Sequence, residues 1–367
     1  MGEFSPLHAL QNGVWFKLIC GASFQHLPAI RTLATVYTLA GADCIDVAAD
    51  PAVVSAARAG INAAYQVFRA RGVESYPAVW LMVSLNDDED PHFRKASFDP
   101  QYCPSTCPQP CIAICPAEAI AFSTSFAGVI ADRCYGCGRC LPICPPHLIE
   151  AHSHQASPTV VHPLVSQGEV QALELHTQIG HETAFQKLWE QVKPLLPSLK
   201  VLAISCPDGE GVLDYLATLY DLMGSLPCPL IWQVDGRPMS GDIGDGTTRA
   251  TLNYGEALLR SPLPGYVQLA GGTNSHTVPK LQERNWLLQD STTPTSNPRS
   301  IAGVAYGSYA RHLLNPIQAE LEAYPQSSFR IEDYPDLLQT AVDLAKKLVA
   351  PLKASEHPLT LQCESTV

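Results

Sequence analysis

Apolar runs recur along the chain, and between them the apolar positions return every three or four residues. "WFKLICGAS", "DCIDVAAD" and "AVWLMVSLN" read as buried strands, with amphipathic helices "LPAIRTLATVYTLAG" and "PAVVSAARAGINAAYQVFRA" between them. Gly41 closes the first helix and Pro51 opens the second, each in the position its backbone favours. Residues 15–86 therefore predict a βαβαβ unit. The alternation resumes with the strands "VQALELHT", "KVLAISC", "PLIWQVD", "GYVQLAG" and "IAGVAYG". Helices are expected over about 182–196, 212–224, 246–260 and 277–287, and again over about 309–323 and 334–350.

Eight strands of continuous apolar character predict a parallel sheet covered on both faces. The expected α/β fold is a (β/α)8-type barrel; a doubly wound open sheet is the alternative. No Gly-x-Gly-x-x-Gly follows the first strand, which weakens a dinucleotide-binding version of that alternative.

One gap breaks the alternation: no good helix separates strand three from strand four. The expected organisation is a first barrel part over 1–97, a ferredoxin-like α+β insert over 98–155, a second barrel part over 156–350 and a disordered tail over 351–367. An insert leaving the C-terminal end of strand three emerges on the face where barrel active sites are built.

The chain has 367 residues, 46% of them apolar, and a formal net charge of −12, which argues against nucleic acid and anionic membranes as partners. No apolar run reaches the length of a membrane span, and "MGEFSPLHALQNG" lacks a signal-peptide pattern, so a cytoplasmic location is expected. In a reducing compartment, thirteen cysteines point to metal or redox chemistry before disulfides.

Eight of those cysteines crowd into residues 103–144. The second run, Cys134-x2-Cys137-x2-Cys140-x3-Cys144-Pro145, has the bacterial ferredoxin spacing for a four-iron four-sulfur cluster. Its short gaps wrap three thiolates round one face of a cube, and Gly136 and Gly138 give the backbone room. The first run, Cys103-x3-Cys107-x3-Cys111-x3-Cys115-Pro116, is stretched, and Pro104, Pro108 and Pro110 remove amide donors there. If hydrogen bonding dominates, the stretched cluster has the lower potential; exposure and charge act on the same quantity. "CPAEAIAF" and "CPPHLIEA" repeat one another, and "AIAFSTSFAGVIADRC" reads as two short strands joined by a turn. In two-cluster ferredoxins the fourth cysteine crosses to the other cluster. That rule gives one 4Fe-4S cluster to Cys103, Cys107, Cys111 and Cys144, and the other to Cys134, Cys137, Cys140 and Cys115. Structural zinc and disulfides are the alternatives.

The ends of strands seven and eight carry "AGGTNSH" and "AYGSYAR". Gly271, Gly272, Thr273, Gly307 and Ser308 are candidates for holding a phosphate-bearing cofactor such as a flavin through backbone amides; two tight turns are the plainer reading. The glycine-rich loop Val234–Thr251 carries Asp235, Arg237, Asp242 and Asp245 and reads either as a loop that folds over a ligand or partner or as a solvated surface loop with Asp245 or Thr247 capping the next helix. Other strand ends offer Cys20, Ser23, Asp46, Asp50, Ser84, Asn86, Glu174, His176, Cys206 and Asp208. Glu174 and His176 share a strand face, and His176 is an acid/base candidate or a structural histidine. Cys20, Cys44, Cys206 and Cys228 read as small buried apolar residues; Cys363 lies in the tail. "NDDEDPHFRKASFDP", with His92, Arg94 and Lys95, reads as a solvated linker whose cations could offset cluster charge, and "QDSTTPTSNPRS" as a flexible loop.

The stretches "LICGASFQHLPAIRTLATVYTLAGADCIDVAAD", "MVSLNDDEDPHFRKASFD" and "QVDGRPMSGDIGDGTTRATLNYGEALL", with the two cysteine runs, resemble the cyanobacterial light-dependent period (LdpA) family over nearly the whole chain. The resemblance implies an iron–sulfur protein that conveys light-set redox state to the circadian clock, with clock proteins such as KaiA and the histidine kinase CikA as partners. Electron donors or the quinone pool would supply the signal. It carries over no catalytic residue, so whether the barrel is an enzyme stays open. Three functions remain: a redox-responsive regulator, an oxidoreductase passing electrons from its clusters to a barrel-bound cofactor, and a scaffold with structural clusters.

Overall fold

A computed structural model describes residues 5–237, 244, 246–287, 300–324 and 330–354. Its eight parallel strands close into a barrel: β1 (Trp15–Gly21), β2 (Cys44–Ala48), β3 (Trp80–Asn86), β4 (Ala172–His176), β5 (Val201–Pro207), β6 (Leu230–Asp235), β7 (Tyr266–Ala270) and β8 (Ile301–Tyr306). β1 pairs with β8 through Trp15 opposite Gly303, and β3 pairs directly with β4 through Ser84 opposite Glu174 and Asn86 opposite His176. Closure leaves no free sheet edge. The expected barrel is therefore present, and the open-sheet alternative is not.

Close packing explains several small residues. The helices Leu27–Ala40 and Pro51–Ala70 meet at Gly60, where a Cβ would stand 2.3 Å from the Arg31 carbonyl oxygen. A Cβ on Gly303 would stand 2.1 Å from the Trp15 carbonyl oxygen, so this glycine permits β8 to approach β1. The short helix Pro6–Gln11 was not foreseen. Its Leu10 packs with Trp15, Met82, Val201 and Ile231 at the N-terminal ends of the strands, and so stops the barrel at its base.

Several boundaries differ from expectation. A helix, Pro158–Ser166, does precede β4; Pro163 inside it and the polar flanks hid it from the periodicity. The helix expected over 182–196 is an α-helix over Glu182–Val192 followed by a 3-10 turn from Lys193, where Pro194 and Pro197 withhold amide donors. The helix expected over 277–287 stops at Glu283, and that expected over 309–323 breaks into Ser308–Leu313 and Asn315–Ala323, with Pro316 opening the second piece. The last helix runs to Lys353, past the expected start of the tail, because Leu352 is buried and Lys353 Nζ pairs with Asp43 at 2.6 Å. The remainder of the tail, with Cys363, and the expected loop Gln289–Ser300 up to residue 299 lie outside the described residues.

Between β3 and the helix at 158 the chain leaves the barrel at the C-terminal ends of the strands. Arg94–Ser97 pairs antiparallel with Glu150–Ser153, and Ile120–Phe122 with Ala127–Val129. Two short helices, Pro110–Ile114 and Cys140–Ile143, pack with them through Cys111, Ile120, Cys140, Cys144 and Ile149. Among the described residues no helix is long and apolar enough to cross a membrane.

Candidate metal centre and barrel mouth

The eight clustered cysteines separate into two groups in space. Cys115, Cys134, Cys137 and Cys140 line one cavity together with Gly136 and Gly138. Burial pushes the Cys140 thiol up to about 12, and Cys137, Cys134 and Cys115 push it further in the same direction. Cys103 is raised by the small loss of solvent and then by Cys107, Cys111 and Cys144. Cys140 and Cys103 are thus each perturbed by their own foursome. The tight turn between Cys134 and Cys140 depends on glycine: Gly136 has φ +72°, and a Cβ there would stand 2.1 Å from the Arg94 carbonyl oxygen.

The donor set distinguishes between metals. All eight thiols are free of disulfides. Among the described residues no three cysteine sulfurs lie within 4.8 Å of one another. A tetrahedral zinc ion, with Zn–S near 2.3 Å, draws its sulfurs to about 3.8 Å apart. Eight clustered thiols, with no histidine among them, are the donor type that iron–sulfur clusters take. Amides reach both foursomes: Ala96 N and Ala119 N donate to the sulfurs of Cys134 and Cys115 at 3.4 and 3.3 Å, and the backbone amides of Cys111 and Ile112 donate to Cys111. Arg139 N and Cys140 N donate to Cys137 and Cys140 as well, so the second foursome has the more amide donors, in the direction the prolines of the first run suggest.

At the barrel mouth a second cavity holds about 810 Å³ of atom-free space, part of it open to solvent. Asp46, Ser84, Glu174, His176, Gln233 and Asp235 line it from the strand ends, and Tyr135 and Cys137 line it from above. Beneath lies a chain of buried polar side chains. Lys17 is fully buried, donates to Glu174 and lies 4.0 Å from Asp46. Trp15 Nε1 donates to Gln268 Oε1 at 2.6 Å, Gln268 Nε2 to Gln233 Oε1 at 2.6 Å, and Gln233 Nε2 to Glu174 Oε1 at 2.5 Å. Burial works to raise the Glu174 carboxyl, but the Lys17 ammonium and His176 together outweigh it and bring it to about 2. Asp46 is pushed the other way, to about 7, by burial and the Glu174 charge against the pull of Lys17.

Several expected site residues have ordinary structural roles. Asp50 caps the helix Pro51–Ala70 by accepting from Ala52 N at 2.8 Å. Ser23 donates to the His92 carbonyl, and Asn86 to those of Asp88 and His154. Cys20, Cys44, Cys206 and Cys228 are buried, and Asp208 is exposed. Thr247 donates to the Gly244 and Gly272 carbonyls. Asp242 and Asp245 lie outside the described residues. Gly271, Gly272, Thr273, Gly307 and Ser308 do gather round the mouth cavity. The Thr273 hydroxyl, however, is committed to the Ala305 carbonyl at 2.6 Å, and the Asp235 carboxylate oxygen Oδ1 sits beside Gly271. A phosphate placed on the strand-seven turn would meet that carboxylate, so the donor set fits it poorly there; Gly307, Ser308 and Arg311 form the more basic side.

The stretch 86–100 corrects an expectation. It is not a solvated linker: Phe93, Asp90 and Asn86 are buried, and Pro91–Phe93 forms a turn over the barrel. Lys95 Nζ is held by Gln25 and the Ala131 carbonyl. Sequence reasoning also passed over Lys17, Gln233, Gln268, Tyr135 and Arg311. A lysine inside the apolar "WFKLICG" was the available signal for the first of these.

Residues 103–155 match the family described as the LdpA Fe-S cluster-binding domain, and residues 164–351 the light dependent period A C-terminal domain. The chain is 51% identical to light dependent period A of Synechococcus elongatus, over 96% of this chain and 95% of that one. The chain belongs to the light dependent period A family. Its light dependent period A iron–sulfur domain coincides with the eight-cysteine segment, so iron–sulfur is the cofactor class there.

Proposed function

We propose that this light dependent period A protein holds two 4Fe-4S clusters in a ferredoxin-like insert. One cluster takes Cys103, Cys107, Cys111 and Cys144, and the other Cys115, Cys134, Cys137 and Cys140. The single observation that carries the proposal is the second foursome lining one cavity, with the fourth thiol, Cys115, coming from the other cysteine run. When bound, the clusters supply one-electron chemistry. The protein then acts as a redox-responsive input to the light-dependent clock period, in the cytoplasm. Electrons come from donors of the photosynthetic chain or the quinone pool, and the readers are clock proteins of the KaiA and CikA kind.

The chain's own residues supply the route from cluster to barrel. Cys137 and Tyr135 line the mouth cavity, and Tyr135 carries Arg311 on its ring face at 4.1 Å. Arg311 in turn donates to the carbonyls of Ile19 and Cys20 at 2.8 and 3.0 Å, at the end of β1. A charge change beside Cys137 alters the energy of that guanidinium in a buried setting, where electrostatic terms are strong.

A second reading, an oxidoreductase with a barrel-bound cofactor, draws on the same cavity, because Cys137 faces acid/base side chains there. Anaerobic purification followed by redox titration tests both. Reversible reduction that changes affinity for a clock protein supports the regulator. A co-purifying flavin spectrum with turnover supports the oxidoreductase.

A further inference from the structure

Outside the cysteine segment, three ligand atoms converge at the barrel mouth. Asp90, His92 and His176 each offer one atom, and all lie within 4.8 Å of one another. They come from two places: Asp90 and His92 from the turn that leaves β3, and His176 from the end of β4.

The hydrogen bonds around them orient both imidazoles. His176 Nε2 lies 2.9 Å from Glu174 Oε1, and His92 Nε2 lies 3.2 Å from Asp235 Oδ2. Without an ion, His92 hydrogen-bonds carboxylates through both ring nitrogens, and against the pull of burial Asp90 and Asp235 hold its proton on; an ion at the Asp90 oxygen would take the place of the Nδ1 proton, with Nε2–H still held by Asp235. Both Nδ1 atoms face one oxygen, Asp90 Oδ1, at 2.9 Å from His92 and 3.8 Å from His176. Carboxylates behind two histidines whose other nitrogens converge are the usual outer shell of a metal site.

Charge points the same way. Asp90, Glu174 and Asp235 are all buried, with Asp46 beside them; Lys17, paired with Glu174, and Arg311, turned to the β1 carbonyls, are the buried cations, and neither is paired with Asp90 or Asp235 among the contacts described. Among the described residues, Asp235 Oδ1 is buried without a hydrogen-bond partner. An excess of buried carboxylates calls for cations. His92 and His176 line the mouth cavity, so further coordination positions would open into it.

We propose that Asp90, His92 and His176 form a mononuclear site for a divalent first-row transition ion, with Glu174 and Asp235 orienting the imidazoles and open positions facing the cavity. Two imidazoles and a carboxylate suit zinc, iron or manganese. The site uses no cysteine and does not depend on the cluster assignment. The competing state is a proton on the histidines in place of the ion.

Zinc is the probe, because it is distinguishable from cluster iron. Holoprotein purified anaerobically is titrated with Zn2+ by calorimetry, gel-filtered, and analysed for zinc, iron and sulfide. Wild type should retain one zinc per chain with iron and sulfide unchanged. His176→Ala and the near-isosteric Asp90→Asn should lose it, and Asp235→Asn should bind about 10–100-fold more weakly. Asp90→Asn decides the matter if His176→Ala does not fold. No retained zinc, equal retention in Asp90→Asn, or zinc uptake matched by iron loss would overturn the assignment.

Discussion

The Arg311 guanidinium lies over the Tyr135 ring, 4.1 Å from its centroid, and this pair joins the cysteine segment to the barrel. Arg311 is 8% exposed and also donates to Ser308 Oγ at 3.1 Å. Phe24 packs edge-on against the other side of the junction, 6.2 Å from Tyr135. Arg311→Ala removes a desolvated cation–π contact and hydrogen bonds to two carbonyls, a loss of about 2–4 kcal/mol. Denaturant titration followed by far-ultraviolet circular dichroism and by visible absorption checks this. Arg311→Lys should restore only part of the loss, since an ammonium lacks the planar fork.

Gly136→Ala tests the turn within the second cysteine run. Its left-handed backbone and the Arg94 carbonyl 2.1 Å from a Cβ leave no room for a side chain. A cost of at least about 2 kcal/mol is expected, confined to the cysteine segment. Iron and sulfide should fall while the barrel's circular dichroism persists. Full iron content in this variant would contradict the geometry.

The barrel's interior charges predict a pH dependence. Asp46 rises from 3.8 to about 7, so the folded chain holds this proton where the unfolded chain has released it. Stability from this group is therefore present below about pH 4 and is lost as pH rises through 7. Glu174 falls from 4.5 to about 2, and its stabilisation is lost only as pH drops through that lower window. Asp46→Asn should flatten the decline between pH 4 and 7 in denaturant-derived stability. An unchanged slope in this variant would place the titration elsewhere.

Gly60→Ala separates barrel stability from cluster chemistry. Its Cβ would meet the Arg31 carbonyl oxygen at 2.3 Å and Ala34 Cβ at 2.9 Å, between two helices on the barrel's outer face. Overpacking of this kind costs about 1–3 kcal/mol. The melting temperature should fall with iron content per folded chain unchanged.

The barrel was legible because its strands are continuous apolar runs between amphipathic helices, as in "DCIDVAAD" followed by "PAVVSAARAGINAAYQVFRA". The two cysteine runs were legible because spacing is a local property. What escaped depends on tertiary contact. His92 sits in "DEDPHFRK", a polar stretch whose burial comes from folding back over the mouth onto Asp235. Arg311 reads as an exposed helix cation until β1 presents its carbonyls. Lys17 makes sense only beside Glu174, which is far away in sequence. Glycines 271 and 272 looked like a phosphate cradle, yet their left-handed turn packs against Asp235 and Thr247.

The central claim is that eight cysteines, exchanged between their two runs, hold two cubane clusters. Iron and sulfide analysis with electron paramagnetic resonance on the anaerobically purified, reduced protein tests it most directly. The account predicts brown protein with about eight irons and eight sulfides per chain and two interacting cluster signals. Colourless protein, or sulfurs bound to zinc or to each other, would contradict it.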